Sequence, residues 1–259
     1  MVPVTVDGET VRLALITYKP PGTGPFPTVI FHHGSTGRGN DPSLFARPYD
    51  PRVQAQWFVA RGYAVMAPSR RGRGGSEGRY DEGFGLDRSR GYTCEEPLSV
   101  AGADRALRDI DAVTAVLLAQ PFVDRSRVVI AGQSRGGIMS VAWSGRQPTV
   151  PKAVVNFVGG WIGAGCENAN SINRGLLNRG IAWGQPSLWL YGDKDPFYPL
   201  SHTRANFAAF HAAGGKGTFQ EYPPPEGSNG HGIGSHPALW TAVTEAYLAE
   251  RRLLSKPAN

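Results

Sequence analysis

No apolar run in this sequence approaches the ~20 residues that a membrane-spanning helix requires. Its first residues, Met1-Val2-Pro3-Val4-Thr5, show no basic stretch followed by an apolar core, so no secretory leader is visible. A mature chain stripped of such a leader would begin in the same way. Cysteine is scarce, with only Cys94 and Cys166. A chain of 259 residues buries roughly 70–75% of the surface its unfolded form exposes, so it needs no metal or disulfide staples to fold. Internal repeats and linker-like stretches are absent, and α/β chains of this length are routinely one domain, so a single domain over 1–259 is expected. Recognition-helix and RNA-binding signatures are also missing, which bears on the net charge of +6. Much of that charge lies at Arg70, Arg71, Arg73, Arg79, Arg88 and Arg90, interleaved with Asp81, Glu82, Asp87, Glu95 and Glu96. The interleaving favours a loop pinned by its own ion pairs over a nucleic-acid patch.

The sequence is rich in Gly (34) and Pro (21), and these fall between apolar runs, as tight connections require. The runs Val11–Thr17, Thr28–Phe31, Tyr63–Ala67, Arg127–Ala131, Ala153–Val158, Ser187–Tyr191 and Thr218–Tyr222 read as strands. Between them, helical periodicity predicts helices near Val53–Ala60, Leu98–Ala119, Ile138–Ala142, His202–Ala213 and His236–Arg252. Strands that are apolar throughout and alternate with helices imply an α/β fold with a mostly parallel sheet covered on both faces.

Gly132-Gln133-Ser134-Arg135-Gly136 matches G-x-S-x-G. The match directly follows the strand RVVIA and opens a helix, so the chain must turn sharply with the Ser134 side chain projecting from the turn. The competing reading is a glycine-lined turn whose serine merely caps the helix. A serine hydroxyl needs a base to remove its proton and a carboxylate to orient that base. On this type of turn the acid and then the histidine follow the serine in the chain. Gly192-Asp193-Lys194-Asp195-Pro196 supplies two acids at the end of a strand, and Asn229-Gly230-His231-Gly232 supplies a histidine in a loop. His236 competes with His231, but it sits beside Ser235 and Pro237, which look like a helix start.

These features together resemble the α/β-hydrolase superfamily, and especially its dienelactone-hydrolase and prolyl-oligopeptidase-like branch. The resemblance rests on His32-His33-Gly34-Ser35 after the strand TVIF, GQSRGG at the turn, YGDKDPFYP at the acids and NGHG at the histidine. It spans about residues 28–248, nearly the whole chain. It implies the α/β-hydrolase fold, a nucleophile at Ser134, a base at His231, and the acid role at Asp195 through the pattern G-x-x-D, leaving Asp193 as a turn former. It also implies an oxyanion hole formed by the backbone N–H groups of Ser35 and Arg135. His32 and His33 do not suggest a metal, because neighbouring strand residues face opposite ways and no third ligand is evident, so neither metal nor cofactor is expected.

Two long loops, Pro68–Pro97 and Gly159–Gln185, leave the sheet at its carboxyl end. Phe84, Tyr92, Trp161 and Trp183 are therefore candidates to line the pocket, against the equal alternative that they form small satellite cores. No large helical cap is visible, which favours small or extended soluble esters. Cys94 and Cys166 fall one in each loop. A bond between them would imply an oxidising compartment and export to the periplasm or medium, whereas two free thiols would suit the cytoplasm. The leading expectation is a carboxylic ester hydrolase acting on a small-molecule ester. A peptidase or amidase comes next, although 259 residues leave no space for the propeller such enzymes often carry. An inactive binding protein on the same scaffold is the third reading. Oligomeric state is not legible.

Overall fold

The N-terminal runs form two pieces in the computed structural model, which describes residues 1–254. Strands β1 (Val2–Val6) and β2 (Glu9–Leu13) pair as a separate antiparallel ribbon. The run expected as one strand over Val11–Thr17 breaks at Ala14. That residue donates its N–H to Ser76 Oγ at 2.8 Å, and its carbonyl accepts Ser69 N at 2.8 Å, so it has no ladder partner to either side. After the break, β3 (Leu15–Tyr18) joins the main sheet.

The apolar runs that follow become β4 (Phe26–His32), β5 (Ala64–Pro68), β6 (Val123–Gln133), β7 (Ala153–Phe157), β8 (Ser187–Gly192) and β9 (Gly217–Tyr222). The seven strands lie in the order β3-β5-β4-β6-β7-β8-β9, and only β3 runs antiparallel to its neighbour. Val29, Ile30, Phe31, Val129, Ile130, Val154 and Leu188 are wholly buried, because helices cover both faces. On one face α1 (Arg52–Val59) and α6 (Pro237–Glu250) pack together, with the Trp57 and Trp240 rings 5.0 Å apart. The other face carries α2 (Glu96–Leu118), α3 (Arg135–Arg146), α4 (Ala169–Asn178) and α5 (Leu200–Ala212). The α2 stripe buries Ala103, Leu107, Ile110, Val113, Thr114 and Leu117. This is the α/β-hydrolase fold, and no described helix is long and apolar enough to cross a membrane.

Helix α4 lies inside Gly159–Gln185, where the sequence predicts a loop and the structure corrects it. Its sequence, ANSINRGLLN, is dominated by asparagine, serine and glycine, all weak helix formers. It forms nonetheless because Ile172, Leu176 and Leu177 bury one face against the body of the protein. It is the ordinary crossover between β7 and β8, not a cap.

Candidate active site

Ser134 sits between the last residue of β6 and the first of α3, with φ 56° and ψ −122°. For a non-glycine residue this backbone costs of order 1–3 kcal/mol and persists only where the surroundings enforce it. Here they do. Ser134 N donates to Phe157 O at 2.9 Å, and Ser134 O accepts Gly137 N, Ile138 N and Gly160 N at 2.9–3.2 Å. A side chain on Gly136 would lie 1.9 Å from His32 O, and one on Gly132 would lie 2.3 Å from Gly136 O. The motif glycines therefore allow β4, β6 and α3 to meet at one point. Ser134 makes no side-chain capping bond to α3, which removes the reading of it as a mere helix cap.

Asp195 follows β8 in a turn and its side chain is fully buried. Its Oδ1 accepts Phe197 N at 2.8 Å and Tyr198 N at 3.0 Å, while Oδ2 lies 2.8 Å from His231 Nδ1. With Nδ1–H given to this carboxylate, His231 Nε2 keeps its lone pair for a proton. The His231 backbone is held by Asn229 Oδ1 at 3.0 Å and by Gln133 Nε2 at 3.2 Å. Asp193 is exposed and accepts Lys194 N at 2.8 Å, a turn-forming bond. His236 stands at the start of α6, away from the cavity. Among the described residues no hydrogen bond joins Ser134 Oγ to His231, but both side chains open on the same cavity. Such contacts commonly tighten only when substrate is bound.

The loop after β4 passes over the serine so closely that a side chain on Gly34 would lie 3.0 Å from Ser134 Cβ. A buried ionic network fixes that loop. Arg70 Nη1 donates to His33 O at 3.0 Å, and Arg70 N donates to His33 Nε2 at 3.0 Å. Arg70 Nε meets Glu82 Oε1 at 2.5 Å with both side chains nearly inaccessible. Arg135, directly after the serine, donates from Nη1 to Glu82 O at 2.6 Å and from Nε to Trp161 O at 2.8 Å. Its guanidinium stacks between the Tyr92 and Trp161 rings, 3.6 and 4.2 Å from their centroids. Burial, reinforced by the Arg70 charge, pulls His32 down to about 3 and His33 well below the usual imidazole range, so both rings are neutral. No cluster of three metal-ligating side chains occurs among the described residues.

Beyond Ser134 and His231 lies a cavity of about 860 Å³, walled by Tyr49, Tyr92, Trp161, Phe197 and Tyr198, with Ser35 in its lining. Cys94 and Cys166 also line it and are joined as a disulfide with Cα atoms 5.6 Å apart.

The family model described as X-Pro dipeptidyl-peptidase (S15 family) matches residues 7–165, more than half of the chain. This chain belongs to the S15 family. The matched segment of this S15 member takes in the Gly34 loop, the Glu82 network and the Ser134 turn, and stops short of Asp195 and His231. No curated protein matches the chain. Among solved structures it is similar to the esterase Est1E of Butyrivibrio proteoclasticus with ferulic acid bound (TM-score 0.65, 17% identity, 96% of this chain and 98% of that one). It is also similar to the Pyrococcus furiosus esterase Pf2001 (0.64, 15%, 96% and 88%). A third likeness is to Thermogutta terrifontis esterase 2 phosphorylated by paraoxon (0.58, 18%, 98% and 95%). At these identities the likeness is one of fold.

Of the four aromatic candidates for the pocket in this S15 member, Tyr92 and Trp161 line it and the other two do not. Phe84 is buried among Phe45, Tyr80 and Tyr92 with the Arg88 guanidinium 3.8 Å over its face, a satellite core. Trp183 donates to Pro151 O at 3.1 Å, beside the entry to β7. It lies at the opposite end of the sheet from Ser134, because α4 carries the chain back there before β8 begins. The expected stapling of the charged loop is seen at Arg70–Glu82 and at Arg88–Asp81 (3.0 Å). Arg71 instead pairs with Asp109 and Asp7, which lie outside the loop. Sequence reasoning missed Tyr49, Phe197 and Tyr198, and the side-chain roles of Arg70, Glu82 and Arg135. Phe197 and Tyr198 carried a signal, since they directly follow Asp195 in YGDKDPFYP.

Proposed function

We propose that this S15 chain is a serine ester hydrolase working through an acyl-enzyme on Ser134. Ser134 Oγ attacks the acyl carbon of a small-molecule ester while His231 Nε2 takes its proton, and Asp195 holds the imidazole in the required tautomer. The backbone N–H groups of Arg135 and Ser35 stabilise the oxyanion. His231 returns the proton to the leaving alcohol, and water repeats the cycle on the acyl group.

One observation favours ester over peptide. A dipeptidyl peptidase substrate presents a free ammonium close to the scissile bond, and an ammonium drawn into a cavity needs an anion beside it. Among the described residues lining this cavity there is no aspartate or glutamate, and the charged side chains present are Arg38 and Arg90. The Asp195 carboxylate lies buried, bonded to His231. The fold shared with esterases supports the same reading. The disulfide supports a place outside the reducing cytoplasm.

Rates on p-nitrophenyl esters and on Xaa-Pro anilides, measured with wild type and Ser134→Ala, test this. Ester turnover that disappears in Ser134→Ala is expected. A higher kcat/KM on Xaa-Pro anilides would transfer the chain to the peptidase reading. Turnover of neither would make it an inactive scaffold.

A further inference from the structure

The two arginines at the cavity mouth have a use that ester cleavage itself does not require. Arg38 and Arg90 are exposed, whereas Ser134 is only 7% exposed, so the cations stand at the rim and the serine at the floor. Backbone contacts fix their neighbourhood. Tyr92 N donates to Arg38 O at 3.0 Å, and Gly91, at φ 81°, lies so close that a side chain there would be 2.1 Å from Arg38 O. Gly39 packs against the Tyr92 ring, which a side chain there would meet at 2.7 Å. The segments carrying Arg38 and Arg90 are thereby clamped side by side above Tyr92.

Other arginines of the same region are committed elsewhere. Arg70 pairs with Glu82, Arg71 with Asp109, and Arg88 with Asp81. Neither Arg38 nor Arg90 makes an ion pair among the described residues. Asp87, close to Arg90 in sequence, spends its Oδ1 on Ser89 N and Oγ at 3.0 and 2.7 Å and feels the Arg90 charge, but it makes no ion pair with that guanidinium and does not line the cavity. Two unpaired guanidiniums over a cavity without a carboxylate in its lining make a field that attracts anions, and the chain's net charge of +6 extends it. Guanidinium geometry suits a carboxylate in particular.

We infer that Arg38 and Arg90 form a subsite for a carboxylate carried by the ester substrate at the end remote from the scissile bond. The inference rests on the ester reading and adds the substrate class: anionic esters, with the carboxylate on the acyl or on the alcohol part. Two such partly exposed contacts together are expected to give about a tenfold preference.

Two matched pairs of substrates test it and separate the two sources of the carboxylate. Mono-p-nitrophenyl adipate against p-nitrophenyl pentanoate probes the acyl side, and 4-acetoxybenzoate against 4-acetoxybenzamide probes the alcohol side. In at least one pair, wild type should prefer the anionic member about tenfold in kcat/KM, chiefly through KM, with the ratio shrinking as salt rises. The double substitution Arg38→Gln/Arg90→Gln, at exposed positions, should bring that ratio to about one. A wild-type ratio of one or less in both pairs, or a ratio that survives the double substitution, overturns the subsite. If neither member of any pair is cleaved, the ester reading fails on its own. The subsite is then read by titrating Ser134→Ala with adipate. Saturable binding lost with both arginines supports it, and no binding overturns it.

Discussion

Replacing Glu82 by glutamine should destabilise the protein strongly, because it breaks a buried ion-pair network beside the site. The Glu82 and Arg135 side chains are 1% exposed and that of Arg70 2%. Glu82 Oε1 receives Arg70 Nε at 2.5 Å, Oε2 receives Arg70 Nη2 at 3.2 Å and Tyr80 Oη at 3.1 Å, and Arg135 Nη1 stands 3.7 Å from Oε2. Glutamine keeps the shape but leaves two buried guanidiniums without their carboxylate, and it turns donors toward donors. Removing one partner of a buried pair typically costs about 3–5 kcal/mol. That is a large share of the ~5–15 kcal/mol by which domains are stable. The urea midpoint should fall accordingly, with the slope of the transition unchanged. The pH dependence gives a second reading. Burial raises the Glu82 carboxyl, but the charge and hydrogen bonds of Arg70, then Arg135 and Arg73, outweigh it and hold it below its ordinary value of 4.5. An acid depressed on folding contributes stability above its unfolded value, and that contribution is lost as pH falls through the folded value. Wild type should therefore lose stability with acidification below about pH 4.5, and Glu82→Gln should lack that part of the slope. A midpoint equivalent to less than about 0.5 kcal/mol of loss, within the range of ordinary surface substitutions, would refute the reasoning. So would an acid slope identical to that of wild type.

Asp195→Asn should lower ester kcat by about four orders of magnitude, as loss of the orienting acid does in serine triads, while Asp193→Asn should stay within a few-fold of wild type. Steady-state kinetics on both variants decide it, and the reverse ranking would move the role to Asp193. Separating Cys94 from Cys166 across a sequence gap of 72 should cost roughly 4 kcal/mol by the chain-entropy model, read as a lower urea midpoint in reductant. Two free thiols in the unreduced, denatured protein would contradict the bond. Gly136→Ala should sharply reduce soluble yield and thermal stability, since the new carbon would meet His32 O at 1.9 Å. A variant melting within a few degrees of wild type would show that the contact can relax.

The central strands and the Ser134 turn were legible because each is dictated locally. Runs such as VVIA must be buried on both faces, and a serine forced to φ 56° on a strand-to-helix turn needs small residues on either side. Asp195 and His231 were legible through motif order, since sequence separates them by 36 residues and only the fold brings them to 2.8 Å. What stayed hidden depended on tertiary contact. Helix α4 is held by packing against its weak propensity, and Ala14 ends a strand because Ser69 and Ser76 claim its backbone. Tyr49 reaches the cavity wall by bonding Gln133 Oε1 at 2.9 Å, a pairing across 84 residues that leaves no periodic trace. Trp183 was misplaced because a loop's length says nothing about the end of the sheet at which its last residues lie.

Peptide mapping by mass spectrometry after inactivation with paraoxon asks whether Ser134 is the nucleophile. A single diethylphosphoryl adduct on the peptide containing Ser134 is expected, with no adduct and no ester turnover in Ser134→Ala. An adduct on another residue of wild type, or Ser134→Ala labelled and inactivated as wild type is, would contradict it.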